Sequence, residues 1–147
     1  MLKLVTPLTQ VDSSPLYALN SRTITRDGNE FIYLEGVAGT LANSWVTFNA
    51  EGRTALAATG ARGRAGIAMA AIVAARFGWY QIYGSAVGRV LAGFVNNGLV
   101  YLTTTAGSVS NTVVAANLVV GAIGRSAVVG EVATIELNYP FATNVVG

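Results

Sequence analysis

Apolar and polar residues alternate with a period of two over several short stretches of the chain, and turn-forming residues separate them. That is the pattern of β-strands, whose successive side chains point to opposite faces. Arg22-Thr-Ile-Thr25 and Phe31-Ile-Tyr-Leu-Glu-Gly-Val37 flank Asp27-Gly28, which predicts a hairpin, because a type I′ turn needs positive φ at both central residues. Trp45-Val-Thr-Phe48 reads as the next strand, closed by a turn over Asn49-Ala-Glu-Gly52. Gly78-Trp-Tyr-Gln-Ile-Tyr-Gly84 places Trp79, Gln81 and Tyr83 on one face and Tyr80 and Ile82 on the other. Residues 90–95 and 99–103 flank Asn96-Asn97-Gly98, which predicts a second hairpin, and 126–138 is a long alternating tract.

Residues 65–75 are a short apolar, Ala-rich run whose period does not separate strand from helix; the flanking glycines and the β pattern just after it favour a strand. Residues 112–118 are open among loop, strand and one helical turn. The first twenty residues show no helical period, and Pro7 and Pro15 push their predecessors towards extended backbone. Leu2, Leu4, Val5, Leu8, Leu16, Tyr17 and Leu19 are too apolar for a solvated tail. They predict an extended arm that buries itself on a neighbour or on its own body. The expected architecture is mainly β: a single compact β-barrel or sandwich over 21–147 with an extended N-terminal arm over 1–20.

Composition changes the picture in one respect. Of 147 residues, 52% are hydrophobic and only 11% charged, against roughly 25% charged in ordinary soluble domains. Such a chain is short of charge for a lone monomer, so either an assembly or a membrane must cover it. No apolar run approaches the roughly 20 residues of a membrane-spanning helix. There is also room for few of the roughly ten-residue alternating segments of a spanning barrel. The first ten residues hold no long apolar stretch, so no signal peptide is expected. Burial in an assembly is the reading that remains, with no membrane.

The chain contains neither Cys nor His, which removes thiolate chemistry, imidazole base chemistry and metal sites built on those residues. Glu30 and Glu35 are five apart, as are Glu131 and Glu136, so on strands the members of each pair face opposite ways and make no natural acid/base couple. The acids do not cluster as an oxygen-ligand metal site requires. No enzyme activity and no cofactor are expected. Between Gly52 and Gly130 there is no acid but six arginines, Arg53, Arg62, Arg64, Arg76, Arg89 and Arg125. Gly60-Ala-Arg-Gly-Arg-Ala-Gly66 lacks the strand–turn–helix setting of a phosphate loop and reads better as a turn that exposes two arginines. Arginines together with Trp79, Tyr80 and Tyr83 suggest a stacking surface for nucleic acid. The arginines are sparse, however, and aromatics on alternating faces of an apolar strand are the pattern of a core, so nucleic acid is disfavoured.

Arg26-Asp-Gly-Asn-Glu-Phe-Ile-Tyr-Leu34, Gly36-Val37 and the Trp45-Val46 strand are followed by an Ala-rich run into Phe77-Gly-Trp-Tyr-Gln-Ile-Tyr-Gly84. After these come the Asn/Gly turn, Leu99-Val-Tyr-Leu-Thr103 and a last strand ending in Tyr139-Pro140. This order of segments, over about 26–140, resembles the capsid decoration, or cement, proteins of tailed bacteriophages. The resemblance implies a structural virion protein on the outer surface of the capsid, made in the host cytoplasm, that staples neighbouring major capsid protein subunits. It further implies a homo-oligomer, trimer favoured over dimer. The expected interface residues come from patterning rather than from the family: Leu2, Leu4, Val5 and Leu8 as arm anchors, and Arg22, Arg62 and Arg64 as contacts to carboxylates, since a planar guanidinium binds these bidentately. A nucleic-acid-binding β-barrel and a glycan- or receptor-binding head spike module are the alternatives.

Overall fold

The computed structural model describes residue 4 and residues 6–143. Among these the chain forms ten strands and no helix: β1 (Arg22–Ile24), β2 (Glu30–Glu35), β3 (Trp45–Phe48), β4 (Thr54–Leu56), β5 (Gly63–Ala68), β6 (Phe77–Arg89), β7 (Leu99–Leu102), β8 (Val109–Ser110), β9 (Leu118–Gly124) and β10 (Val132–Ala142). The strands belong to one sheet with the order β1-β2-β6-β5-β10-β9-β7-β8, to which β3 adds by pairing with both β5 and β4. The ladders between these strands are antiparallel.

The long strand β6 changes partner along its length. Its first half lies against β2 and β5, and from Tyr83 onwards it pairs with β10. The change falls at Gly84, whose φ of 99° favours glycine; a Cβ there would overlap the Asn29 side chain. Gln81 fastens the bend by donating from Nε2 to the carbonyls of Tyr83 (3.1 Å) and Ser85 (3.0 Å). The first half of β6 is buried on both faces, so alternation along it feeds different cores, whereas in the second half buried Ala86 and Gly88 alternate with exposed Ser85 and Val87.

Three apolar clusters result. The first gathers Trp45, Ile67, Ala86, Val90, Phe94, Val100, Leu102, Val119, Ile135 and Leu137, among others. The second holds Ile32, Leu34, Val46, Phe48, Ala68, Ile72, Tyr80 and Ile82. In β3 and β5, Trp45 and Ile67 serve the first cluster while their neighbours Val46 and Ala68 serve the second. The third cluster is aromatic, with Phe31, Tyr33 and Trp79 buried at its centre. Strands buried on both faces need apolar residues at consecutive positions. Much of the shortage of charge therefore comes from internal walls shared between cores.

The third cluster is where the N-terminal segment lies. Leu4, Leu8, Tyr17 and Leu19 pack partly buried against it, and the Tyr17 ring meets Tyr33 at 5.3 Å and Trp79 at 5.5 Å. Backbone bonds join Asp12 and Phe77 in both directions, at 2.8 and 3.0 Å, and Asn20 N–H reaches the Tyr33 carbonyl at 2.8 Å. The Tyr33 hydroxyl donates to the Asp12 carboxylate and accepts from Leu16 N–H at 3.0 Å. Of the proposed arm anchors, Leu4 and Leu8 thus sit on their own chain, while Leu2 and Val5 lie outside the described residues.

Burial, followed by the bond to Asp12, pushes the Tyr33 phenol up to about 12. Its folded-state value exceeds the unfolded one of about 10. The stabilisation is therefore complete below pH ~10 and is lost as pH rises towards ~12. Buried Tyr80 is displaced in the same direction, by desolvation. Replacing Tyr33 by Phe is expected to cost about 1–2 kcal/mol at neutral pH, through the stranded Leu16 N–H and Asp12, and to reduce the alkaline loss of stability. Urea unfolding of both proteins from pH 8 to 12 checks this; parallel pH curves would refute it.

Several expected elements take a different form. The Asp27-Gly28 hairpin exists between β1 and β2, but its turn runs over 25–28, with Gly28 N–H on the Thr25 carbonyl at 3.0 Å, and only Gly28 takes positive φ. It is a longer loop than a two-residue type I′ turn. Thr25 donates to the Asp27 carboxylate there and holds its pKa below the usual value. Residues 65–75 are strand only to Ala68; the following carbonyls of Ile72 and Arg76 are taken by the loop amides of Val37 and Gly36, at 3.2 and 2.7 Å. The Asn96-Asn97-Gly98 turn forms, with Gly98 N–H on the Val95 carbonyl at 3.1 Å, but its flanks do not pair with each other. β7 pairs with β9 and β8 instead, while 91–97 are turns that seat Phe94 under Gly124. Residues 112–117 are loop, and β9 begins at Leu118. The tract 126–138 is broken by a turn at Gly130 and Glu131 before β10 starts.

Candidate functional site

Four strands bring side chains together at one end of the second core. Arg64 of β5 lies across from Phe48 of β3 and from Phe141 of β10, and Phe141 lies across from Val120 of β9. Directly opposed residues in a sheet share a face. Phe48, Arg64, Phe141 and Val120 therefore form one row across four strands. The row exists because β10 is irregular: its register with β9 shifts between Leu137 and Phe141. Pro140 has no N–H to give the ladder, and Tyr139 takes a φ of 49°. The facing Gly121 (φ 77°) accommodates this, since a Cβ there would stand 2.5 Å from the Asn138 carbonyl oxygen.

A groove of about 240 Å³ opens beside this row, lined by Arg22, Phe48, Arg64, Ala65, Ile82, Tyr139 and Pro140. Its electrostatics are set by one buried acid. Glu30, 5% exposed, pairs through Oε2 with Arg22 Nη1 at 3.4 Å and accepts the Tyr139 hydroxyl on Oε1 at 2.7 Å. Both oxygens are engaged, as a buried carboxylate requires. That bond also raises the Tyr139 pKa, because losing the proton would set two anions against each other. Arg64 lies over the Phe48 ring at 4.7 Å, and its Nη2 reaches the Asn49 carbonyl at 3.4 Å. None of the four ion pairs among the described residues includes Arg64.

The rim is apolar and open to solvent. Tyr139 is 50% exposed, Phe141 45%, and Tyr83 and Val120 40% each; the rings of Tyr83 and Tyr139 lie 5.2 Å apart. Exposed aromatics grouped around arginine are what protein interfaces are enriched in.

Of the arginines singled out from sequence, the fold places Arg22 and Arg64 in one groove. Arg62 faces a separate shallow cleft with Arg53, Thr47 and Asn49, and its Nη1 donates to the Ala61 carbonyl at 2.8 Å. The glycine-rich stretch from Gly60 is a turn that leads into β5. The remaining carboxylates stay apart: Glu30, Glu35, Glu131 and Glu136 pair with four different arginines. Sequence reasoning missed Phe48, Tyr139 and Phe141. A proline inside an alternating tract was the available signal, since it marks a bulge or an edge. Comparison with family models, with curated proteins and with solved structures finds no match to this chain.

Proposed function

We propose that this chain is a structural virion protein, a capsid decoration protein that binds the outer surface of a phage head as a homo-oligomer and staples neighbouring major capsid subunits. The reading keeps a single barrel-like body for 21–147, in which the triangle of β5, β6 and β10, each paired with the other two, makes the closed part. The observation that carries it is the exposed row of Tyr83, Tyr139, Phe141 and Val120 beside two arginines. Such a row covered by a partner gains about 25 cal/mol per Å² of apolar surface, and repetition over a shell multiplies weak contacts into lasting attachment.

Arg62 in its neighbouring cleft is a second polar contact in this reading. The arm anchors Leu2, Leu4, Val5 and Leu8 reach a neighbour by exchange: Leu4 and Leu8 leave their own third core for the same seat on the next subunit. Mixing the purified protein with expanded empty capsids and sedimenting tests the proposal. A defined dimer or trimer should pellet at saturating stoichiometry, and truncation of residues 1–20 should lower that occupancy. A monomer that stays in the supernatant, or that is retained on DNA with steep salt dependence, overturns it.

A further inference from the structure

The groove beside the aromatic row has a charge pattern that specifies its occupant. Arg22 and Glu30 offset each other, and Tyr139 completes the shell around Glu30, so the local balance is the single positive charge of Arg64. The floor beneath it is apolar, made of Phe48, Ala65, Ile82 and Pro140. From this we infer that the groove is a docking site for a protein segment carrying one Asp or Glu carboxylate next to an aliphatic or aromatic side chain. The apolar side chain lies on the Ile82–Pro140 floor. The carboxylate meets the outward edge of the Arg64 guanidinium, and Arg22, whose side chain is 43% exposed, lines the same groove.

Nucleic acid is a poorer fit for physical reasons. A nucleotide needs a free aromatic face for its base and a track of cations for its backbone. The Phe48 face is capped by Arg64, the Tyr139 ring leans on Tyr83 and is tethered to Glu30, and one uncompensated cation is not a track. A planar guanidinium held by stacking on a ring is well placed for bidentate binding of a carboxylate. The inference rests on the decoration reading in that it names the chemistry of the capsid surface bound there.

The test is an NMR titration of the full-length protein with two blocked peptides, acetyl-Leu-Asp-Phe-amide and its Asn counterpart. The acidic peptide should give saturable shifts at the amides of 22–24, 64–65, 82, 139 and 141. The Asn peptide should bind about ten-fold more weakly, the value of one charge-assisted hydrogen bond. Arg64→Gln should abolish that preference and Arg64→Lys should retain part of it, while the rest of the spectrum confirms that each variant is folded. Absence of saturable shifts at these amides, equal affinity for both peptides, or the same shifts produced by an oligothymidylate overturns the proposal. Capsid sedimentation with Arg64→Gln separates the two readings. Capsid binding that ignores the substitution defeats the groove alone, whereas peptide selectivity without capsid binding defeats the decoration reading alone.

Discussion

Trp79→Ala is expected to lower the free energy of unfolding by about 3–5 kcal/mol, the usual cost of emptying a large aromatic site in a core. For a domain with a total of about 5–15 kcal/mol, this is among the largest single losses available. Trp79 is 1% exposed and is the hub of the third cluster, with its ring 5.2 Å from Tyr33 and 5.5 Å from Tyr17. No neighbouring element can slide in to fill the space, because β2 holds Tyr33 in register across from Trp79 and the backbone is fixed on both sides. The substitution should also loosen the N-terminal segment, whose Leu4, Leu8, Tyr17 and Leu19 pack against this cluster. Urea unfolding measures the first effect, and limited proteolysis within residues 6–20 measures the second. A loss below about 1 kcal/mol, or unchanged protection of the segment, would show that the third cluster does not hold the arm.

The second large effect is expected at Gly121. Alanine there must adopt a φ of 77° and bring its Cβ to 2.5 Å from a backbone carbonyl, that of Asn138, which cannot rotate away. Strain and overpacking together should cost about 2–4 kcal/mol. Gly130→Ala is the control, because Gly130 also has positive φ (58°) yet nothing lies within 4 Å of its Cβ position. It carries the strain without the clash. The difference in Tm between the two variants isolates the close approach of β9 to the irregular part of β10. Gly121→Ala should additionally weaken the proposed capsid and peptide binding, because Tyr139 and Phe141 depend on that irregularity for their position. Equal Tm values for the two variants would mean that the bulge is not held by Gly121.

The strands that could be read from the chain are those whose alternation is undisturbed. Trp45 to Phe48 forms β3 with the expected bounds, and the two faces assigned around Trp79 and Tyr80 do serve different clusters. What could not be read is pairing between distant segments. Asn96-Asn97-Gly98 has the local chemistry of a hairpin, but a turn fixes only its own four residues; Leu99 finds Ile123 and leaves the preceding flank to turns. The run after Ala68 stays apolar and Ala-rich, and its backbone is claimed by loops carrying Gly36 and Val37, contacts with no local signature. The candidate site was half legible. Arg22 and Arg64 stood out as cations in an acid-poor chain, whereas Tyr139 and Phe141 looked like ordinary members of an alternating strand until the break at Pro140 turned them outward.

The partner exchange along β6 has a kinetic consequence. Its ladders join Glu30 to Tyr83 and Arg89 to Val132, so loops of about fifty and forty residues must close before the strand has both its neighbours. Only the two-residue pairing of Ile67 and Ala68 with Gln81 and Tyr80 is local, and topologies dominated by distant pairings fold on the millisecond-to-second scale. During that interval β6 exposes a thirteen-residue unpaired edge rich in aromatic and aliphatic side chains. The newly made chain is therefore most exposed to self-association before it folds.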